Sequence, residues 1–166
     1  MPLLTSAYYD HCADLEGDAV LRTPLIHPPL LAALAGAGHG GKVLLADANY
    51  SASTNVNPAA ARIHLNVRPG LVTVADVLEP VLATVPVEAV EVMTPDGGGT
   101  PEVWGVYQQM LRAGLTLRQL GRFDFYAACR EPDVAVCVAT GDAALYSNVL
   151  LTIGYLTPEG EDGPPA

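Results

Sequence analysis

The stretch PPLLAALAGAGHGGKVLLADAN, residues 28–49, decides the fold of this chain. Two prolines at its start suit the first turn of a helix, and the glycines that follow the leucines and alanines suit the end of one, so a helix is predicted over residues 28–37. The apolar run KVLLA at residues 42–46 predicts a buried strand. Asp47 and Asn49 follow that strand directly.

The remainder of the chain repeats this alternation of helix and strand. Further helices are predicted over residues 73–84, 100–113 and 123–131, and further strands over residues 62–67, 87–93, 115–120, 134–139 and 149–154. Strands that alternate with helices indicate an α/β fold, a single-domain layered fold with a mostly parallel central sheet. Ligands of such sheets bind beyond the carboxyl ends of the strands.

The length of 166 residues favours one domain. Residues 1–21 show no clear period and are interpreted as an N-terminal extension. Residues 22–158 form the predicted domain, and residues 159–166, which are rich in proline, glycine and acidic residues, are interpreted as a flexible C-terminal tail.

Charge and composition exclude several classes of function. The chain has 18 acidic and 8 basic residues, so it lacks the basic surface of a nucleic-acid-binding protein, and an anionic membrane surface would repel it. No apolar run is long enough for a transmembrane helix, and no secretory signal is recognisable. Three widely spaced cysteines do not suggest a disulfide framework, and reduced thiols fit a cytoplasmic protein.

His39 is the first candidate for chemistry, because it stands between glycines where no regular helix or strand needs it. Histidine is the usual acid–base residue near neutral pH, and a helix C-terminus favours its protonated form. The alternative is a helix end that carries a solvated histidine.

Polar residues at the predicted strand ends are the second group. Asp47 can bind a sugar hydroxyl or orient His39, and Asn49 can bind a hydroxyl as well; the alternative is an Asx-turn that leaves the strand. Tyr146 and Asn148 precede the last strand and can bracket a polyol, unless they serve only a turn and the core.

Arg122 begins the aromatic stretch RFDFY, which ends at Tyr126. A guanidinium can fork onto vicinal hydroxyls, and an aromatic ring can stack on the C–H face of a sugar. The alternative is a core helix with a surface arginine. His27, His39 and His64 lack the spacing of a zinc site, and phosphate-loop and serine-hydrolase motifs are absent, so no metal and no cofactor is expected.

Four motifs in order resemble the ribose pyranase and fucose mutarotase family (RbsD/FucU). They are PLIHPPLLAALAGAGHG at residues 24–40, DAN at 47–49, RFDFY at 122–126, and the run from TGD to YSNVLL at 140–151. The resemblance extends over about residues 22–158 and favours the fucose branch. It implies the RbsD-like fold.

The resemblance implies an isomerase of the racemase and epimerase class, a mutarotase that interconverts the anomers of a free monosaccharide, with L-fucose as the expected sugar. It implies His39 as general acid, and we take Tyr146 as the second proton-transfer residue. The expected substrate contacts are Asp47, Asn49, Arg122, Tyr126 and Asn148. It also implies a homo-oligomeric ring, often a decamer, in which Tyr146 and Asn148 can serve the His39 of another subunit.

Two alternatives remain open at this point. A D-ribose pyranase would perform the same ring-opening chemistry to interconvert pyranose and furanose forms. A non-catalytic monosaccharide-binding protein linked to sugar uptake would keep the contacts without turnover.

Overall fold

The computed structural model describes residues 21–166 and contains one six-stranded sheet with helices on both faces. The first 20 residues, which include most of the predicted N-terminal extension, lie outside the described part. The helices are α1 (Pro28–Ala37), α2 (Val74–Leu82), α3 (Glu102–Met110) and α4 (Arg122–Arg130). The strands are β1 (Lys42–Ala46), β2 (Ala61–His64), β3 (Val87–Met93), β4 (Leu117–Leu120), β5 (Val134–Ala139) and β6 (Val149–Ile153).

The strand order is β2-β5-β1-β6-β3-β4, and β6 alone among these strands runs antiparallel to its neighbours. This confirms the predicted α/β fold with a mostly parallel sheet. The direction of β6 has a consequence for the site: its first residue, Val149, pairs with Leu45 and Val92, near the ends of β1 and β3. The segment before β6 therefore lies at the edge where the parallel strands end, called the carboxyl edge below.

Alternating strand side chains build a core on each face of the sheet. Helices α1, α2 and α3 pack on one face, where Val43, Leu45 and Val138 are fully or almost fully buried. Helix α4 packs on the other face, where Phe125 and Cys129 meet strand side chains such as Leu44. The sheet is thus the middle layer of three, with helices on either face.

The predicted bounds of α1, β1, β3 and β5 agree with the structure residue by residue. Strand β2 is shorter than predicted, because the chain turns after it: the Leu71 N–H donates to the Arg68 carbonyl oxygen at 3.0 Å, and the Val67 N–H donates to the Leu71 oxygen at 3.2 Å. That turn leaves Val67 exposed.

The predicted start of α3 at Thr100 is wrong. Pro101 occupies the N-cap without a side-chain cap hydrogen bond, and the helix begins at Glu102. It ends before residue 113 because Leu111 is extended and Gly114 takes a positive φ of 92°. Thr73, in contrast, caps α2 as expected, in a reciprocal capping box with Asp76, and the helix that contains Pro80 ends at Leu82.

The predicted tail, residues 159–166, makes hydrogen bonds to the domain, including one from the Ala166 N–H to the Glu88 carbonyl oxygen at 2.9 Å. Its flexibility stays a prediction. None of the helices within residues 21–166 has the length and apolarity to cross a membrane.

Candidate active site

A cavity of about 200 Å³ opens at the carboxyl edge of the sheet. Its lining comes from the turn after β1, the end of β3, the start of α4 and the segment before β6. The lining residues are Asp47, Asn49, Tyr50, Met93, Arg122, Tyr126, Leu145, Tyr146 and Asn148. All five residues predicted to contact substrate therefore lie in one pocket together with Tyr146.

Asp47 and Asn148 form the most deeply buried polar part of the pocket lining, and both are almost completely buried. The Asn148 side chain accepts from the Asp47 N–H at 2.8 Å and donates to Asp47 Oδ2 at 2.8 Å. Asp47 Oδ1 accepts from the Asn49 N–H at 2.9 Å, so the Asx-turn weighed as an alternative is also present. Because a carboxylate accepts about four hydrogen bonds, Asp47 keeps acceptor capacity for a ligand hydroxyl.

Burial raises the pKa of the Asp47 carboxyl group. The hydrogen bonds from Asn49, Asn148 and Tyr50 act in the opposite direction, and the nearby charge of Asp142 adds to the increase. A partly desolvated carboxylate of this kind interacts strongly with a hydroxyl donor, because little water competes for it.

Arg122 and Tyr146 both line the pocket and contact each other directly. Arg122 Nη2 donates to the Tyr146 hydroxyl oxygen at 3.2 Å and also pairs with Asp96. The hydrogen bond to Tyr146 and the charge of Asp96 raise the pKa of the guanidinium, which stays cationic. Arg122 Nε is buried and has no hydrogen-bond partner among the described residues.

The backbone of Tyr146 is left-handed, with φ at 60°, a conformation that is uncommon for a residue other than glycine. Helix α3 fixes this segment from below: Trp104 Nε1 donates to the Tyr146 carbonyl oxygen at 3.1 Å, and the Tyr107 hydroxyl donates to that of Ser147 at 2.9 Å. Burial raises the pKa of Tyr107, which remains a neutral donor. The indole N–H of the buried Trp104 therefore supports the pocket.

Tyr50 and Tyr126 form the aromatic wall of the pocket, with ring centroids 5.6 Å apart in an edge-to-face arrangement. The Tyr50 hydroxyl donates to the Asn55 carbonyl oxygen at 2.7 Å. Sequence reasoning missed Tyr50, Met93 and Leu145 as lining residues. For two of them the sequence offers a signal in their position near a strand end: Tyr50 follows Asp47 closely, and Met93 is the last residue of β3.

Asp142 ties the turn beside the pocket to α2, and its side chain is buried. Its Oδ2 accepts from the Val74 N–H at 2.9 Å, and its carbonyl oxygen accepts from the Ala48 N–H at 2.9 Å. The second bond holds the chain directly after Asp47. The TGD motif therefore supports the pocket without lining it.

His39 lies at the opposite edge of the sheet, just before β1. Its Nε2 is 3.1 Å from Glu88 Oε2, and its ring meets the Tyr155 ring edge-to-face at 5.2 Å. The seven residues between His39 and Asp47 include all five of β1, which alone span about 16 Å at roughly 3.3 Å per residue. Within one chain, His39 is not brought into the pocket, and the predicted contact between Asp47 and His39 does not form. Its role as acid stays a prediction.

Within residues 21–166, no group of three or more His, Cys, Asp or Glu side chains has an arrangement that could hold a metal ion. The pocket instead offers neutral and charged hydrogen-bonding groups beside aromatic rings. That combination suits a small polyhydroxylated ligand.

Comparison with known proteins agrees with this geometry. The chain is 35% identical over 147 residues to the fucose mutarotase of Bos taurus, which covers 81% of this chain and 92% of that protein. It is 34% identical over 137 residues to the D-ribose pyranase of Paracidovorax citrulli, which covers 80% of this chain and 96% of that protein. The crystal structure of the fucose mutarotase from Streptococcus pneumoniae in complex with L-fucose is similar to this fold with a TM-score of 0.67 and 31% identity, over 80% of this chain and 95% of that one.

The model of the RbsD / FucU transport protein family matches residues 20–156. This match includes the sheet, all four helices named above and each residue that lines the pocket. The chain belongs to the RbsD / FucU transport protein family.

Proposed function

We propose that this protein is a sugar mutarotase, an isomerase that interconverts the anomers of a free monosaccharide, with L-fucose as the first substrate to test. One observation carries the proposal: six residues that the sequence predicts to bind or turn over a sugar line a single cavity. They are Asp47, Asn49, Arg122, Tyr126, Tyr146 and Asn148. The relatives named above, a fucose mutarotase and a D-ribose pyranase, support the same class of reaction.

The size and chemistry of the cavity suit one sugar ring. Its volume of about 200 Å³ is below the roughly 300–1,000 Å³ of pockets for drug-sized ligands. Asp47 supplies acceptors and Arg122 supplies donors, while the Tyr126 ring offers an apolar face. Vicinal hydroxyls need this mixture, because each is both a donor and an acceptor.

Mutarotation opens a cyclic hemiacetal and closes it on the other face of the carbonyl carbon. The ring oxygen gains a proton and the anomeric hydroxyl loses one, so the reaction needs an acid and a base. Positioned acid–base groups contribute typically about 10²–10⁴-fold to such a rate. Tyr146 fits one of these roles, because its oxygen accepts from Arg122 and its own hydrogen is free to point at the sugar.

The acid is His39 of a neighbouring subunit in this proposal. His39 stands outside its own chain's pocket with 56% of its side chain exposed. Leu145, which lines the pocket, is 68% exposed, and Phe123, which follows the lining residue Arg122 in the chain, is 81% exposed. A second copy that covers these two side chains would remove apolar surface from water and bring its His39 to the sugar. A decameric ring and a cytoplasmic location stay predictions.

The first experiment is saturation-transfer NMR of L-fucose anomer exchange with wild-type protein, His39→Ala and a matched control, His64→Ala. His64 is exposed at the end of β2 and faces no part of the pocket. We expect exchange with wild type and His64→Ala and a loss of at least about 100-fold with His39→Ala. Full activity of His39→Ala would refute its role as acid.

Mixing two inactive variants tests the shared site. His39→Ala lacks the acid, and Asp47→Asn replaces the carboxylate by a neutral amide whose NH2 group faces the Asn148 donor, so each homo-oligomer should have little activity. If pockets are shared, co-assembly after partial denaturation creates some pockets that have both residues, and activity returns. Light scattering on the same samples gives the mass of the assembly. An active monomer would contradict the shared site.

D-ribose is the second substrate to test, because one relative is named D-ribose pyranase. The same pocket and proton transfers would interconvert pyranose and furanose forms. A panel of L-fucose, D-ribose and related sugars separates the two by kcat/KM. Saturable sugar binding without exchange for any sugar would overturn the mutarotase proposal in favour of a binding protein.

A further inference from the structure

The tail, residues 159–166, folds back onto the edge of the sheet opposite the pocket, where His39 lies. Leu156 and Asp162 form an isolated antiparallel bridge, and the Thr157 N–H donates to the Glu161 carbonyl oxygen at 2.7 Å. The family match ends at residue 156, so the tail lies beyond the part of the chain that the family model matches.

Arg112 fastens the tail to the start of β3. Its Nη2 donates to the Gly163 carbonyl oxygen at 2.6 Å and to the Val87 carbonyl oxygen at 3.1 Å, and its Nε pairs with Asp162 Oδ2 at 3.3 Å. The Ala166 N–H adds a bond to the Glu88 carbonyl oxygen. One side chain and one backbone bond therefore join the tail to the strand that carries the Glu88 partner of His39.

Gly163 holds Tyr155 between the tail and His39. The Gly163 N–H donates to the Tyr155 carbonyl oxygen at 2.8 Å, and Gly163 itself is buried against the Tyr155 ring. A Cβ at this position would lie 2.7 Å from the ring carbon that bears the hydroxyl, closer than real contacts allow. The Tyr155 ring also makes an edge-to-face contact with the His39 imidazole.

We propose that the tail is a positioning element for His39, which it holds in place by fixing the Tyr155 ring against the imidazole. This inference rests on the proposed role of His39 as acid. A general acid loses efficiency when its ring turns away from the reacting oxygen, and small displacements can cost up to about 100-fold in rate. The tail thus adds a second constraint on the exposed imidazole, beside its contact with Glu88.

Gly163→Ala tests the proposal, because the added methyl group must displace the Tyr155 ring. The matched control is Gly36→Ala in α1, where a Cβ meets no atom within 4 Å. A variant truncated after Pro158 removes the tail altogether. Selective ¹³C-histidine labelling follows the His39 ring, and His39→Ala assigns its resonance. Thermal unfolding and light scattering report on fold and assembly.

We expect Gly163→Ala and the truncated variant to shift the His39 resonance and to lower kcat for L-fucose about tenfold, with KM changed less than about twofold. Gly36→Ala should leave the resonance and kcat unchanged. An unchanged His39 resonance in Gly163→Ala, or a shifted resonance with unchanged kcat, overturns the proposal. If wild-type protein exchanges no sugar, the proposed function is wrong. The shift of the His39 resonance in Gly163→Ala would still show whether the tail holds the Tyr155 ring against His39.

Discussion

Asn148 holds Asp47 through two hydrogen bonds of 2.8 Å each, although the two residues are 101 positions apart in the chain. One bond fixes the backbone of Asp47 and the other fixes its carboxylate. This pair joins the end of β1 to the start of β6, which are neighbours in the sheet. It sets the orientation of the carboxylate before any sugar arrives.

Asn148→Ala should therefore lower both stability and sugar affinity. It removes the donor to Asp47 Oδ2 and leaves the buried Asp47 N–H without its acceptor, which costs about 1–3 kcal/mol. Urea unfolding and L-fucose titration measure the two effects. Gln119→Ala, at an exposed position on β4, is the control and should change neither. Unaltered stability of Asn148→Ala would contradict the structural role of this pair.

The pKa of Asp47 predicts a pH dependence of stability. Burial raises this pKa in the folded protein above the value of 3.8 in an unfolded chain. The folded state therefore binds more protons than the unfolded state between the two values, and the contribution of Asp47 to stability falls as pH rises through the folded pKa.

We expect the free energy of unfolding of wild type, relative to Asp47→Asn, to decrease as pH rises from about 4 towards 7, with a slope of at most about 1.4 kcal/mol per pH unit. Urea unfolding of both proteins at matched pH values measures this difference. A difference that stays constant or increases with pH would contradict the raised pKa.

Tyr146→Phe should slow turnover and leave substrate affinity nearly intact. It removes the hydroxyl that accepts from Arg122 and keeps the ring and the Arg122–Asp96 pair. A loss of about 10²–10⁴-fold in kcat is the expected range for a proton-transfer group. Exchange NMR gives kcat, and titration calorimetry gives affinity. A large increase in Kd with unchanged kcat would make Tyr146 a binding residue alone.

Gly141→Ala should destabilise the protein by about 2 kcal/mol or more, although Gly141 touches no substrate. A Cβ there would overlap the carbonyl oxygens of Arg68 and Leu71, both of which belong to the backbone. Gly105→Ala in α3 is the control: its Cβ has open space, and the change should be neutral or slightly stabilising. Thermal unfolding of both variants checks this, and equal melting temperatures would be the contrary outcome.

Cys129 and Cys137 should resist thiol reagents in the folded protein. Both are buried, and burial raises the pKa of Cys129 to about 12 and that of Cys137 to about 11, so little thiolate exists near neutral pH. In a Cys12→Ser background, labelling by a disulfide reagent should proceed only as fast as the chain unfolds. Rapid labelling without denaturant would show that the core opens locally.

The sequence by itself determined the local structure and the chemical inventory of this protein. Short segments rich in valine and other apolar residues predicted β1, β3 and β5, because such side chains pack well on a buried sheet. Asp47, Arg122 and Asn148 were identified by their positions at the ends of predicted elements. The first residue of α3 was not determined by the sequence, since Pro101 fits both an N-cap and the first turn of a helix.

Only the tertiary structure decided what these residues form together. The antiparallel direction of β6 brings Tyr146 and Asn148 to the carboxyl edge, and direction depends on the partners that a strand finds in the sheet. His39 is excluded from its own chain's pocket because β1 lies between it and Asp47. The support of Tyr146 by Trp104 and of Tyr155 by Gly163 depends on contacts between distant segments, which no local pattern encodes.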